Sequence, residues 1–377
     1  MVVFGTRPEA IKMAPVIDCI RENGRFILKT VVTGQHRKML DQAIKIFGIK
    51  PDYDMNIMLR SQPLNGIVSR CVKGLNNIYR KEKPSMVLVH GDTTTTLASA
   101  LAAYYSMVPV GHVEAGLRSY DPMNPFPEEQ NRRLTDALSS YHFAPTPGNK
   151  ENLLKENINR ENIFITGNTV IDTLLKTAGS EIEPVNRILK RLSVRKRVVL
   201  ITAHRRENLG SPLRDICRGL SKLSKEFPDV NFVYPVHLNP EVRDTAEKML
   251  ERIHNFYLIP PVSYTDMVWL LKRCDFCFTD SGGIQEEAPA LGKPVFVLRK
   301  VTERPEAVQA GTVKVIGTCK DDIFEWGRKM LTDKNLQKRF SDAVNPYGDG
   351  KAALRIVAAI EYIAGIRKKR PSEWNSP

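Results

Sequence analysis

The chain lacks any run approaching the ~20 consecutive apolar residues that a membrane-spanning helix needs, and its amino terminus carries neither a basic-plus-apolar signal nor a transit-peptide composition. A cytoplasmic protein with no membrane partner is expected. The opening apolar run, Met1 to Phe4, is short for a first strand, so a few residues are expected to precede it. Cysteine is scarce and scattered: Cys19, Cys71, Cys217, Cys274, Cys277 and Cys319 lie mostly in apolar surroundings, which argues against a disulfide framework and a zinc site. The one Cys-x-x-Cys, Cys274 to Cys277, falls in a strand-like run where an odd spacing points the two side chains to opposite faces. Neither metal nor redox chemistry is read there. Short-period repeats and low-complexity tracts are missing as well. Lys+Arg 56 against Asp+Glu 42 leaves a net charge of +14, yet there is no dense basic stripe interleaved with aromatics, which counts against nucleic acid. The densest basic run, Arg367 to Arg370, reads as a solvated tail. A compact anionic substrate fits the charge at least as well as a polymer.

What the sequence does contain is strand-and-helix alternation, in two series. At 377 residues the chain is too long for one compact core and divides into two domains of ordinary size. In the first series, Met1 to Phe4 leads through Gly5-Thr6-Arg7-Pro8-Glu9 into Ala10, Ile11, Met13, Ala14, Ile17 and Ile20 at helical spacing. A strand over 27–33 delivers Gly34-Gln35-His36-Arg37 to the same edge. Met86 to His90 is a continuous apolar run of the kind buried on both faces of a parallel sheet, and it ends in Gly91-Asp92 and four threonines suited to capping a helix. Pro109 to Val113 runs into Glu114-Ala115-Gly116-Leu117-Arg118, and two prolines fix the entry to a helix near Glu128. Residues 178–196 are polar and suit a linker.

The second series starts with a strand over 197–202 that ends in Ala203-His204-Arg205-Arg206, followed by Asn231 to Pro235, which ends in Val236-His237. A strand from Phe276 then enters Thr279-Asp280-Ser281-Gly282-Gly283-Ile284-Gln285-Glu286-Glu287. Gly282 and Gly283 would let backbone approach a ligand closely, and the N–H groups of the following helix would face an anion such as a diphosphate. Glu287, nearly two turns down, is placed to accept hydrogen bonds from a ribose. A loop at Asn345-Pro346-Tyr347-Gly348-Asp349-Gly350 and an apolar helix from about 351 follow.

In open α/β sheets ligands bind outside the carboxyl ends of the strands, where the polar clusters of both series collect, and a cleft between the domains is the expected site. Taken singly, Asp92 would cap its helix, Glu114 would pair with Arg118 and Glu128 would complement a helix N-terminus. Three carboxylates at strand ends in one half would be expected to repel one another, and general acid/base work is the use they share. His204, flanked by two arginines, suits diphosphate or proton transfer. His36 and His237 are as compatible with structural roles.

The runs around Gly5, His90, Gly111, Pro127, Ala203, Thr279 and Asn345 closely resemble, in order, those of the non-hydrolysing UDP-N-acetylglucosamine 2-epimerases, over about residues 2–365. The resemblance implies an α/β GT-B fold, two Rossmann-like domains with a cleft between them and a C-terminal helix crossing back to the first. The domains would be 1–177, completed by the helix 351–370, and 178–350. It implies reversible epimerisation at carbon 2 of UDP-N-acetylglucosamine to UDP-N-acetylmannosamine for cell-surface polysaccharide, by elimination of UDP to 2-acetamidoglucal and re-addition, without cofactor or metal. Ser281, Gly282, Gly283 and Glu287 would hold UDP, with His204 near the diphosphate. Arg7, Lys12, Asp92, Glu114 and Glu128 would surround the sugar, the three carboxylates and His204 being catalytic. The resemblance further implies a homodimer, activated by its own substrate at a second site made by Gln35, His36, Arg206 and His237. Lys38 and Ser61 depart from the residues usual for that site.

Overall fold

Strands that are apolar at every position have to be covered on both faces, and each of the two series builds a wholly parallel sheet on that basis. The structure, a computed structural model, describes residues 1–375 except 36, 60–62, 193–195 and 303. The chain forms two units, one of Met1–Thr173 with the segment from Tyr347 onward, the other of Leu174–Pro346. In the first unit the strands are β1 (Val2–Phe4), β2 (Thr30–Val32), β3 (Tyr53–Asp54), β4 (Val87–His90), β5 (Val110–Val113), β6 (Tyr141–Ala144) and β7 (Ile163–Ile165), in the order β3-β2-β1-β4-β5-β6-β7. Every residue of β1, β2, β4 and β5 is buried. In the second unit β8 (Val198–Thr202), β9 (Asn231–Pro235), β10 (Phe256–Ile259), β11 (Phe276–Thr279), β12 (Val295–Val297) and β13 (Val313–Val315) take the order β10-β9-β8-β11-β12-β13.

Both orders turn back on themselves once, between β1 and β4 in the first sheet and between β8 and β11 in the second. At such a switch point the helices leave toward opposite faces and open a crevice at the strand ends. The motif loops after β1 and β4, and those after β8 and β11, therefore flank the two switch points, and the loop after β5 lies one strand further out.

The helix Arg7–Asn23 follows β1, with Pro8 in its first turn, and ends at Gly24 in the left-handed conformation that a glycine cap supplies at no steric cost. The helix Ala352–Ile363 belongs to the first unit and packs on it. Glu361 accepts from Asn23 Nδ2 at 3.1 Å and Arg25 Nη1 at 3.0 Å, and Asp172 receives the leading amides of Ala352 and Ala353 at 3.1 and 2.8 Å. Beyond this helix Arg367, Lys368 and Lys369 are exposed, as expected of a solvated tail, but Arg370 is not. Arg370 donates to the carbonyls of Glu161 and Ile163 and lies over the Phe164 ring at 4.1 Å, and Trp374 N donates to Ile165 O at 2.8 Å. The edge strand β7 offers unpaired carbonyls, and the tail satisfies them.

The expectation for Cys274 also needs correcting. It stands between the helix Tyr264–Arg273 and β11, which begins only at Phe276, so the strand-spacing argument does not apply to it. Both cysteines are buried as free thiols, and burial pushes Cys274 up to about 12. Such a thiol is inert at neutral pH.

In the second unit Phe278 and Phe296 pair across β11 and β12, and Phe296 meets Trp326 and Phe340 with ring centroids 5.8 and 5.7 Å apart. The helices Ser211–Glu226 and Lys320–Thr332 approach so closely that a Cβ on Gly219 would stand 2.6 Å from Lys320 O and 3.0 Å from Ile323 Cβ. Because one of those atoms is backbone, Gly219→Val should lower the folding free energy by about 1–3 kcal/mol, read as a fall in the urea midpoint. Gly179→Ala, where nothing lies within 4 Å, should leave the midpoint unchanged or slightly raised.

Candidate active site

At the ends of β1 and β4, hydroxyl and carboxyl groups replace the apolar packing of the sheet. Gly5 is confined, since a Cβ there would meet Thr33 Oγ1 at 2.1 Å and Thr95 Oγ1 at 2.4 Å. Glu9 is buried behind it. Burial raises its pKa, while hydrogen bonds from Gly5 N (3.1 Å), Thr93 Oγ1 (2.9 Å) and Thr96 Oγ1 (3.0 Å) partly oppose the shift. Arg7 opens the helix beside it. Thr93, not Asp92, caps the helix Thr94–Tyr105 by accepting from Thr96 N at 3.1 Å. The Asp92 side chain is thereby released from capping and receives Arg132 Nη2 at 2.5 Å, while Asn131 Nδ2 donates to its carbonyl at 2.9 Å.

Arg132 and Asn131 lie on the helix Glu128–Leu138, whose first residue is the third predicted carboxylate. Glu128 Oε2 is buried and has no hydrogen-bond partner among the described residues. The next residue, Glu129, is buried too, but it accepts from Ser119 N (2.9 Å), Tyr120 N (3.1 Å) and Arg132 Nη1 (3.1 Å). One helix start thus supplies a scaffold carboxylate and a carboxylate left to act on something else.

Glu114 follows β5 with φ of 68°, a conformation that few non-glycine residues adopt and that marks strained functional turns. The turn directs its carboxylate to Lys12, with which it forms an ion pair, and to Asn168 Nδ2 at 3.0 Å. Arg118 is not its partner; that guanidinium is committed to Asp136 and Glu156, each at 2.7 Å. His90 Nε2 lies 3.7 Å from Glu114 Oε2, and burial pulls its pKa down to about 3 despite that neighbour, so the ring is neutral. A Cβ on Gly91 would be 3.6 Å from Glu114 Oε1, which places the Glu114 carboxylate against the turn that carries Asp92. Asn168 is held in turn by Tyr347 O, which accepts from its backbone N–H at 2.7 Å. The Asn345–Gly350 loop thus acts as second support for Glu114.

In the second unit the buried carboxylate of Asp280 organises the strand ends. One oxygen accepts from His204 N (2.7 Å), Arg205 N (2.8 Å) and Asn208 Nδ2 (3.0 Å), and the other faces His204 Nδ1 at 3.4 Å. Partial burial pulls the His204 pKa below its ordinary value, although Asp280 works in the opposite direction. The exposed His237 ring stacks on His204 with centroids 5.4 Å apart, while Arg206 is exposed. Ser281 precedes the helix Gly282–Ala290 without capping it by its side chain. The two glycines have different causes. A Cβ on Gly282 would stand 2.7 Å from the Arg304 guanidinium, whereas a Cβ on Gly283 would find its nearest neighbour, Ser281 Oγ, at 3.9 Å. Arg304 is fixed over the helix start by Glu286 at 2.7 Å. Glu287 is buried, and it adjoins the Tyr264 hydroxyl, whose pKa is raised well above the ordinary value by burial and then by this carboxylate.

Sequence reasoning did not single out Asp280, Arg304, Asn168, Arg132 or His90. Asp280 and His90 sit inside the quoted motifs and Arg132 lies four residues beyond Glu128, and this nearness to the predicted residues was the available signal. Arg304 and Asn168 are remote in sequence from what they support. Of the residues predicted for a second site, Gln35 lends its carbonyl oxygen to Thr95 N at 3.1 Å, and His36 lies outside the described residues. Among the described residues no group of three or more His, Cys, Asp or Glu side chains is arranged to hold a metal ion, and no helix is long and apolar enough to cross a membrane.

A family model described as UDP-N-acetylglucosamine 2-epimerase matches residues 18–361. UDP-N-acetylglucosamine 2-epimerase of Escherichia coli K12 is 50% identical over 368 residues, which is 96% of this chain and 98% of that protein. The Neisseria meningitidis UDP-GlcNAc 2-epimerase bound to UDP-GlcNAc is 46% identical, with TM-score 0.88 over 96% of this chain and 99% of that one. The S. aureus MnaA–UDP co-structure is 47% identical, with TM-score 0.91 over 100% and 99%. The α/β fold with two Rossmann-like domains, GT-B in class, is common to them. The chain belongs to the UDP-N-acetylglucosamine 2-epimerase family.

Proposed function

We propose that the chain interconverts UDP-N-acetylglucosamine and UDP-N-acetylmannosamine by eliminating UDP to 2-acetamidoglucal and adding it back. The observation that carries this reading is the set of three carboxylates at one sheet edge. Asp92 and Glu114 are each oriented by a cation from another element, and Glu128 keeps an oxygen unbonded. The hydrogen on carbon 2 of the sugar is not acidified by a carbonyl, so its direct removal is slow. Departure of UDP builds positive charge at carbon 1 and weakens the neighbouring C–H bond, after which a carboxylate takes the proton. Return of the proton to the opposite face, with re-addition of UDP, gives the epimer. Carboxylates serving both faces are needed.

The second unit supplies the leaving-group side. The leading amides of the helix Gly282–Ala290, the Arg304 guanidinium and His204 are suited to a diphosphate, and Glu287 to a ribose. Lys12 and Arg7 complete the sugar side in this reading. The His237–His204 stack gives a physical route by which a second substrate molecule near Arg206 and His237 would activate the enzyme; in this reading the working form is a homodimer.

Incubation with UDP-N-acetylglucosamine alone should give UDP-N-acetylmannosamine, a product in which the sugar is again linked to UDP, as read by NMR. Free N-acetylmannosamine and UDP as the only products would overturn the proposal in favour of a hydrolase. Glu287→Ala should weaken UDP binding by about 1.5–3 kcal/mol through loss of a charge-assisted hydrogen bond, which calorimetric titration reads directly. Asp92→Asn, Glu114→Gln and Glu128→Gln should each lower kcat about 10²–10⁴-fold with small effects on KM. Turnover near wild type in all three would place the acid/base groups elsewhere.

A further inference from the structure

The helix Glu128–Leu138 also contributes Asp136, a buried carboxylate with no direct part in the proposed chemistry. Around it lie His112 from the middle of β5, Arg118 and His142, all buried. His112 Nε2 is 2.7 Å from Gly91 O, which can only accept, so this nitrogen carries hydrogen. His112 Nδ1 is 2.5 Å from Asp136 Oδ1. The other Asp136 oxygen accepts from Gly116 N at 3.2 Å and Arg118 Nη2 at 2.7 Å, and Arg118 continues to Glu156. Burial alone would raise the Asp136 pKa, but His112 and Arg118 more than offset it and hold the group well below the usual carboxylate range.

Two turns converge on this network. The Gly91 carbonyl immediately precedes Asp92, and the Gly116 amide lies two residues beyond Glu114. Gly91, Glu114 and Gly116 all have positive φ, of 68°, 68° and 82°. The two glycines adopt it without strain, but at Glu114 such backbone persists only where its surroundings over-determine it. We infer that His112 and Asp136 are positioning residues for the epimerisation, a buried clamp that fixes the Gly91–Asp92 and Glu114–Gly116 turns relative to each other. The inference rests on the proposed acid/base assignment of Asp92 and Glu114. Two carboxylates that exchange a proton with one carbon must be held at fixed separation, and an error near 1 Å costs about 10²-fold in rate.

The two bonds of His112 can be removed one at a time. In His112→Asn the amide stands where Nδ1 was, keeping the link to Asp136 and losing the donor to Gly91; in His112→Gln it stands where Nε2 was, keeping the donor to Gly91. His112→Asn should lower kcat about 10²-fold, with KM and calorimetric UDP affinity little changed because the second unit is untouched, and His112→Gln should recover about tenfold of that loss. A purely structural role predicts instead a lower melting temperature for both variants with wild-type kcat per folded molecule. Folded His112→Asn with kcat within about twofold of wild type overturns the inference. If that variant does not fold, the isosteric Asp136→Asn serves, with a fall in kcat of about tenfold or more expected and wild-type kcat again contrary. Wild-type turnover in Asp92→Asn and Glu114→Gln would mark failure of the underlying assignment rather than of the clamp.

Discussion

A buried carboxylate has to spend its charge on nearby donors, and in each unit one aspartate spends it on the backbone of turns at the carboxyl edge of the sheet. Asp280, at the end of β11, receives the amides of His204 and Arg205, which follow β8 across the switch point. Asp136 receives Gly116 N directly and reaches Gly91 O through His112, joining the turns after β5 and β4. The strands are mostly apolar runs that fix where the turns start, with His112 of β5 as an exception that joins the network itself. What the turns present to a ligand depends on these two carboxylates, and removing a partner from a buried charge of this kind costs about 3–5 kcal/mol.

That arrangement also separates scaffold from chemistry. Glu9, Glu129 and Asp136 are buried acids with several donors each and little left to offer a substrate beyond their fixed shape. Asp92, Glu114 and Glu128 differ in that each is half-exposed or partly buried. Asp92 is held by the Arg132 cation, Glu114 by both Lys12 and Asn168, and Glu128 keeps one oxygen unbonded among the described residues. The unbonded oxygen of Glu128 suits the proton-transfer role proposed for it, because a fully bonded carboxylate has no site at which to take up or return a proton.

Much of this was legible in the sequence, for definite reasons. Continuous apolar runs such as Met86 to His90 announce parallel strands, and polar motifs directly after them fall at the ligand-binding edge by topology alone. The pairings were not legible. Glu114 finds Lys12, 102 positions away, instead of the nearby Arg118, because a left-handed backbone at Glu114 turns the side chain back toward β1 and β4. Asp92 would cap its helix by sequence preference, yet the adjacent Thr93 hydroxyl does so and frees the carboxylate. Gly282 reads as room for a ligand, and the room is taken by Arg304 from a segment with no periodic signal. Strands of two or three residues, such as Tyr53–Asp54 and Val313–Val315, carry too few positions to show a period.

The central claim is that UDP leaves before carbon 2 is deprotonated and returns after it has been reprotonated by solvent-exchanging carboxylates. Epimerisation in heavy water, with the product analysed by mass spectrometry, tests it most directly. The account predicts deuterium at carbon 2 of every UDP-N-acetylmannosamine molecule formed. Product that retains its original hydrogen would contradict it and require a hydride route through a redox cofactor.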